Sequence, residues 1–265
     1  MPRKSQEPED LIEIRDNVFE IVELAEQTPG TKHAVLCLPD AGLVGTIAGM
    51  HLVTTLGFEL VGYIDTEFMP PVVVVHNQQI RPPIQIYANK QFLLIVSEVP
   101  LTTEAMRPVA TALVRYLQQL RPKSVIALGG TPLPPATRTQ LERPEVYAVT
   151  NTKAEGKRLE AKGIKLLDEG IVAGANAIIL LEAQRKNLPV TYLMAQSFLN
   201  IPDPGAAAEV LKALSELTGV PIATDKLVEG AEEVRVKVRD LMSRTTTAME
   251  EGGKQHELQI PAFYQ

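Results

Sequence analysis

Ala34-Val35-Leu36-Cys37-Leu38 is an unbroken apolar run. A strand with one wet face alternates apolar and polar residues, so a short run without alternation marks a strand covered on both faces. Such a strand needs a layer on each side of it. The residues that follow begin to supply one. Pro39-Asp40-Ala41-Gly42-Leu43-Val44-Gly45 is a glycine-containing loop, and Leu43, Ile47, His51 and Leu52 then recur at helical spacing before Leu56-Gly57 closes the segment. Strand, loop and helix in that order open a βαβ unit. The alternation continues along the chain. Residues 60–65, 84–87, 92–96, 125–128, 145–150 and 190–195 read as strands. Helical patterns fill residues 102–120, 152–162, 175–184 and 203–217. Thr102 or Thr103 caps the first of these, and Asp203-Pro204 pairs an N-cap with proline at the first helical position. The helix at 175–184 is apolar nearly all round and is expected to be buried. The whole predicts an α/β fold: a three-layer α/β/α arrangement on a mostly parallel sheet.

The α/β domain is expected over residues 11–222. Residues 1–10 are polar and acidic and read as a disordered leader with no apolar signal region. Residues 11–24 hold short alternating pieces suited to an edge strand or hairpin. Residues 131–144 contain four prolines and read as a long surface loop. Beyond Pro221, Leu227, Ala231, Val234, Val238, Leu241, Thr245 and Ala248 fall at heptad spacing, which predicts a long amphipathic helix over 223–249. That helix either lies on its own domain or forms a seam between subunits. Residues 250–265 are expected to be a flexible tail, polar as far as Glu257 and then apolar through Leu258, Ile260, Pro261, Ala262, Phe263 and Tyr264.

Little in the chain points to chemistry. A net charge of -6 argues against a nucleic-acid surface, which needs a basic face. No apolar run approaches a membrane span, so a cytoplasmic protein is expected. Cys37, alone of its kind, reads as a small core residue. His33, His51, His76 and His256 form no metal-spaced pair, so neither metal nor cofactor is expected. Gly42 and Gly45 supply only the last two glycines of a dinucleotide loop, and close helix–strand packing accounts for them better. Glu98, Asp168, Glu169 and Glu182 could converge at strand ends, where α/β sites sit. Ser97 and Ser197 lack a nucleophile elbow. No catalytic residue is assigned.

Several stretches together resemble one family: the residues from Leu38 to Gly45, the segment 65–71 with Glu67 and Pro70-Pro71, Ser97-Glu98-Val99-Pro100, residues 125–130, Gly170-Ile171-Val172-Ala173-Gly174-Ala175-Asn176, and Pro202-Asp203-Pro204-Gly205-Ala206-Ala207. In order and spacing the chain resembles the second type of proteasome assembly chaperone in its archaeal and bacterial form. It departs from that pattern at Leu43, where an aromatic residue is expected. The resemblance implies a phosphorylase-like α/β/α fold without that enzyme's catalysis, and a homo-oligomer such as a tetramer. Some archaeal members end in hydrophobic-tyrosine-any residue, a tail signature that docks on 20S proteasome α subunits. Phe263, Tyr264 and Gln265 match it. An aromatic side chain desolvated in a pocket contributes large apolar area, and a terminal carboxylate can be captured by a cation. The alternative is a phosphorylase-like enzyme or small-ligand binder using the strand ends near Gly42, Glu98 and Gly130. A third reading lets the tail dock on the chain's own body or a neighbouring copy.

Overall fold

The computed structural model describes residues 13–16, 19–25, 32–69, 71–76, 78–236, 238–240, 243 and 247. The expected leader and the tail with Phe263, Tyr264 and Gln265 lie outside them.

A hairpin of β1 (Glu13–Asp16) and β2 (Phe19–Glu23) precedes β3 (His33–Cys37) and α1 (Val44–Thr55). Next come β4 (Glu59–Asp65), the small hairpin β5 (Val74–His76) and β6 (Gln79–Arg81), then β7 (Ile84–Ala88) and β8 (Phe92–Ser97). Helix α2 (Thr103–Leu120) leads to β9 (Ser124–Pro132), α3 (Pro135–Gln140), β10 (Val146–Thr150), α4 (Lys153–Ala161) and β11 (Lys165–Leu166). The chain continues through α5 (Gly174–Arg185), β12 (Thr191–Ser197), α6 (Pro204–Thr218) and α7 (Asp225–Glu229).

Ten strands form one sheet in the order β1-β2-β4-β7-β8-β3-β9-β12-β10-β11. Its centre, β8-β3-β9-β12, is parallel throughout. Antiparallel pairings carry the sheet outward on the β7 side, and β10 runs antiparallel to β12 on the other. The unbroken apolar runs are explained by this position. Along β3, Ala34 and Leu36 face one core while Val35 and Cys37 face the other; β8 and β9 divide in the same way. The first core is covered by α2 and α5, the second by α1, α4, α6 and α7. The α/β/α expectation is thus met.

Helix boundaries follow their capping residues. The Thr102 hydroxyl accepts from the Ala105 N–H at 3.1 Å, and Thr152 does the same for Glu155 at 3.3 Å. At the other edge of the first core, the hydroxyl of fully buried Tyr116 donates to Glu23 and ties α2 to β2. Tyr116→Phe is expected to cost about 1.5–3 kcal/mol, since a hydrogen bond to a charged, buried partner is lost. Urea unfolding measures it.

Three readings change. The proline-rich stretch 131–144 is not all loop. It extends β9 to Pro132 and holds α3, with proline at its first turn and Arg138 buried at 7% exposure. Helix α5 is not buried all round: Ala175, Asn176, Ile179 and Ala183 are, whereas Leu181 is 52% exposed. The heptad segment begins as α7, turns at Gly230, and is helical again at residues 231–236 and 238–240. Leu227, Val234 and Val238 pack on the α6 side of the sheet. The remainder of that expected helix lies outside the described residues.

Candidate functional site

Asp40 sits just past the carboxyl end of β3, where the parallel strands open toward the loops. Its Oδ2 accepts from the Gly130 N–H at 2.7 Å and from the Tyr192 hydroxyl at 3.2 Å. Its Oδ1 accepts from the Gly45 N–H at 3.3 Å, and the Val44 N–H adds a further bond. The carboxylate therefore caps α1 from its amino end and clamps β9 and β12 to the same loop. Burial pushes the carboxyl up to about 7, against the hydrogen bonds from Gly130, Gly45, Tyr192 and Val44, which pull it down.

Glycine makes the approach possible. A Cβ on Gly129 would lie 1.7 Å from Asp40 Oδ2, and one on Gly45 would lie 2.6 Å from the carbonyl oxygens of Leu38 and Leu128. The expectation that Gly45 serves close helix–strand packing is met. The loop between β3 and α1 is bent by two successive left-handed residues, Gly42 at φ 65 and Leu43 at φ 51. For Leu43 that conformation costs about 1–2 kcal/mol. It is held by bonds from the Asp203 N–H to the Gly42 carbonyl at 2.8 Å and from the Gly42 N–H to the Leu199 carbonyl at 3.2 Å.

Beside this loop lies a cavity of about 590 Å³. Leu43, Leu101, Met106, Val172 and Met194 give it apolar walls, and Asp40, Tyr192 and Asn176 form its polar side. The Asn176 side chain bonds Tyr192. Its Oδ1 is buried and has no hydrogen-bond partner. Asp40, Tyr192 and Asn176 thus make one line of hydrogen bonds from the end of β3 to the first turn of α5.

The cavity loop is braced from behind. Arg138 on α3 donates from Nε to Asp203 Oδ2 at 2.7 Å and from Nη2 to Asp203 Oδ1 at 2.8 Å. Asp203 is fully buried and also accepts from the Ala206 N–H at 3.1 Å and the Phe198 N–H at 3.3 Å. The guanidinium lies over the Phe198 ring, 5.3 Å from its centroid.

A second pocket, of about 320 Å³, lies on the α1 side of the sheet and is lined by His76, Arg81, Tyr87 and Glu98. Glu98 is buried at 4% exposure; both its oxygens accept from His76 Nε2 at 2.9 Å, and Oε1 also accepts from Gln85 Nε2 at 2.8 Å. The Tyr87 hydroxyl donates to Gln85 and accepts from Arg81 Nη1 at 3.1 Å. The carboxylate fixes the histidine tautomer, since a carboxylate can only accept.

The strand ends near Gly42, Glu98 and Gly130 are therefore divided. Gly130 borders the larger cavity, with Gly42 in the loop beside it, whereas Glu98 belongs to the other pocket. The four carboxylates considered together do not converge on one network: Glu182 bonds Arg107 and Arg185, and Glu98 bonds His76 and Gln85. His51 is a satisfied packing residue, bonded to the Ala223 carbonyl at 2.7 Å. Cys37 is fully buried. Among the described residues no cluster of three or more His, Cys, Asp or Glu is arranged for a metal, and no helix is long and apolar enough to cross a membrane. Asp40, Asn176 and Tyr192 were not singled out from the sequence. Asp40 lies in the glycine-containing loop after the first buried strand and Asn176 in the 170–176 stretch that carries the family resemblance, whereas Tyr192 lies within a strand run and carries no local signal.

Comparison with known proteins gives a consistent picture. The model of the PAC2 family matches residues 34–242. An uncharacterized protein of Methanocaldococcus jannaschii, MJ0106, is 23% identical over 222 residues, covering 84% of this chain and 90% of that protein. Among solved structures, PbaA of Pyrococcus furiosus, an archaeal homolog of proteasome-assembly chaperone, superposes with a TM-score of 0.78 at 26% identity, covering 87% of this chain and 99% of that one. PbaB of the same organism, an archaeal proteasome activator, has a TM-score of 0.72 at 19% identity over 85% of this chain and 99% of that one, which shows the shared fold.

Proposed function

This chain belongs to the PAC2 family, and on that premise we propose that it is a non-enzymatic, proteasome-associated protein, an assembly chaperone or ATP-independent activator-like factor. The observation that carries this reading is the similarity to PbaA over most of both chains. The fold shared with PbaB is in keeping with it. The docking element is the segment Phe263-Tyr264-Gln265, and the receptor is the 20S proteasome at its α subunits. Phe263 and Tyr264 supply apolar area for a pocket, and the Tyr264 hydroxyl finds a partner at the pocket mouth. Association of this chain with itself, as in a tetramer, would present several tails together. Effective concentration then multiplies a weak single contact by roughly 10²–10⁴ where the geometry permits.

The test is direct binding of the full chain to purified 20S particles and to free α subunits. Binding is expected, and truncation after Ala262 is expected to weaken it at least about tenfold, one well-packed aromatic contact being worth that much. A full chain that binds neither form of α subunit removes the proteasome reading. Binding that survives the truncation unchanged leaves the partner and removes the tail.

A further inference from the structure

The smaller pocket, on the α1 side of the sheet, holds a charge that proteasome docking does not use. The hairpin of β5 and β6 pairs Val74 with Arg81, Val75 with Ile80 and His76 with Gln79. Cross-strand partners share a face, and side chains alternate along each strand. Val75 and Ile80 therefore point one way, and they are 61% and 74% exposed. Val74, His76 and Arg81 point the other way: Val74 is buried, and His76 and Arg81 line the pocket. A hairpin laid down for packing alone would turn its apolar residues inward and its cation to water. This one sends a guanidinium inward and leaves Val75 and Ile80 in water.

The guanidinium is held at the pocket but not neutralised there. Arg81 Nη1 donates to the Tyr87 hydroxyl at 3.1 Å and Nη2 to Gln79 Oε1 at 3.4 Å, both uncharged acceptors. Among the described residues no carboxylate forms an ion pair with it. The one carboxylate lining the pocket, Glu98, is 4% exposed and is occupied by His76 and Gln85. The rest of the Arg81 fork is unused. The other walls, Met50, Val53, Phe58 and Leu60, are apolar and only partly buried. A cation would be repelled by Arg81, and Glu98 lies beneath its own hydrogen bonds. A neutral apolar molecule would cover the guanidinium without pairing it. An anion on an apolar body suits both walls, and a charge-assisted hydrogen bond is stronger than a neutral one. The volume of about 320 Å³ admits a body the size of a single ring. We propose that this pocket binds a small organic monocarboxylate, with its carboxylate on the Arg81 guanidinium and its apolar body against Met50, Val53, Phe58 and Leu60.

Phenylacetate is a simple compound of this class, and the isolated full chain suffices for the test, so its outcome is independent of any proteasome binding. Titration followed by amide NMR is expected to give a Kd of about a millimolar, as suits so small a ligand, with shifts at Met50, His76 and Arg81. Phenylacetamide has the same shape without the charge and is expected to bind at least about tenfold more weakly. Arg81→Met removes the charge and keeps an apolar stem. It is expected to fold as the parent does, because the lost hydrogen bonds go to neutral partners, and to weaken phenylacetate binding at least about tenfold. Thr54→Glu, at an exposed lining position on α1, sets a like charge beside the ligand and is expected to weaken binding severalfold. The proposal is overturned if phenylacetate leaves the parent spectrum unmoved at about ten times that concentration, if phenylacetamide binds as tightly, or if the Arg81→Met protein binds phenylacetate as the parent does. Should Arg81→Met fail to fold, unchanged binding by Thr54→Glu overturns it instead.

Discussion

Asp203→Ala is expected to destabilise the protein by about 3–5 kcal/mol, enough to lower the melting temperature by on the order of 10 °C. The carboxylate is fully buried and satisfies the Arg138 fork at 2.7 and 2.8 Å, the Ala206 N–H at the start of α6 and the Phe198 N–H. Its removal leaves a buried guanidinium without a counter-charge and α6 without its cap. Much of the cost is the stranded charge, not the loss of the pair itself. Arg138→Leu combined with Asp203→Ala is therefore expected to cost clearly less than the sum of the single variants. Thermal and denaturant unfolding of all four proteins in the cycle measures the coupling. A strictly additive cycle would show that the pair holds nothing together.

The second large effect is a dependence on pH centred on Asp40. Its folded carboxyl, at about 7, lies above the ordinary 3.8. The folded state thus holds a proton between about pH 4 and 7 that the unfolded state has released. Under that condition stability falls as pH rises, and the loss is complete above the folded value. The separation corresponds to about 4 kcal/mol across the window. Other carboxylates push the opposite way: Glu145, hydrogen-bonded by Lys165 and Tyr147, is held below its usual range. The measurement is accordingly a difference. Stability of the parent minus that of Asp40→Asn, taken by urea unfolding at several pH values, is expected to decline from pH 4 to 7 and then level off. A flat difference would mean that the Asp40 carboxyl is ionised throughout.

Local physics accounts for what was readable before the structure. Strands buried on both faces cannot hide their apolar runs, so β3, β8 and β9 were plain. Thr102 and Asp203 announce helix starts because a cap acts within three residues of itself. Arg138 was missed because a six-residue helix opening on proline is too short to show a period, and its partner is 65 residues away. The exposed side of α5 was misjudged because apolar composition does not state which face meets the core: α5 turns Ile179 inward and leaves Leu181 outside. The Asp40, Tyr192 and Asn176 line joins three distant segments, and only folding brings its members together. The family resemblance read from motif order is borne out by the PAC2 match.

The shape of the sheet's last strand has a further consequence. β11 is two residues long and parallel to β10, and Lys165 on it is paired with Glu145 beside β10. A ten-stranded sheet could otherwise offer a ladder of open N–H and C=O groups to any passing extended chain. Here the terminal rung is too brief to template another strand, and a lysine stands on it. Resistance to edge-to-edge aggregation at this end is therefore a property of length and placement, and lengthening β11 by a few β-branched residues would remove it.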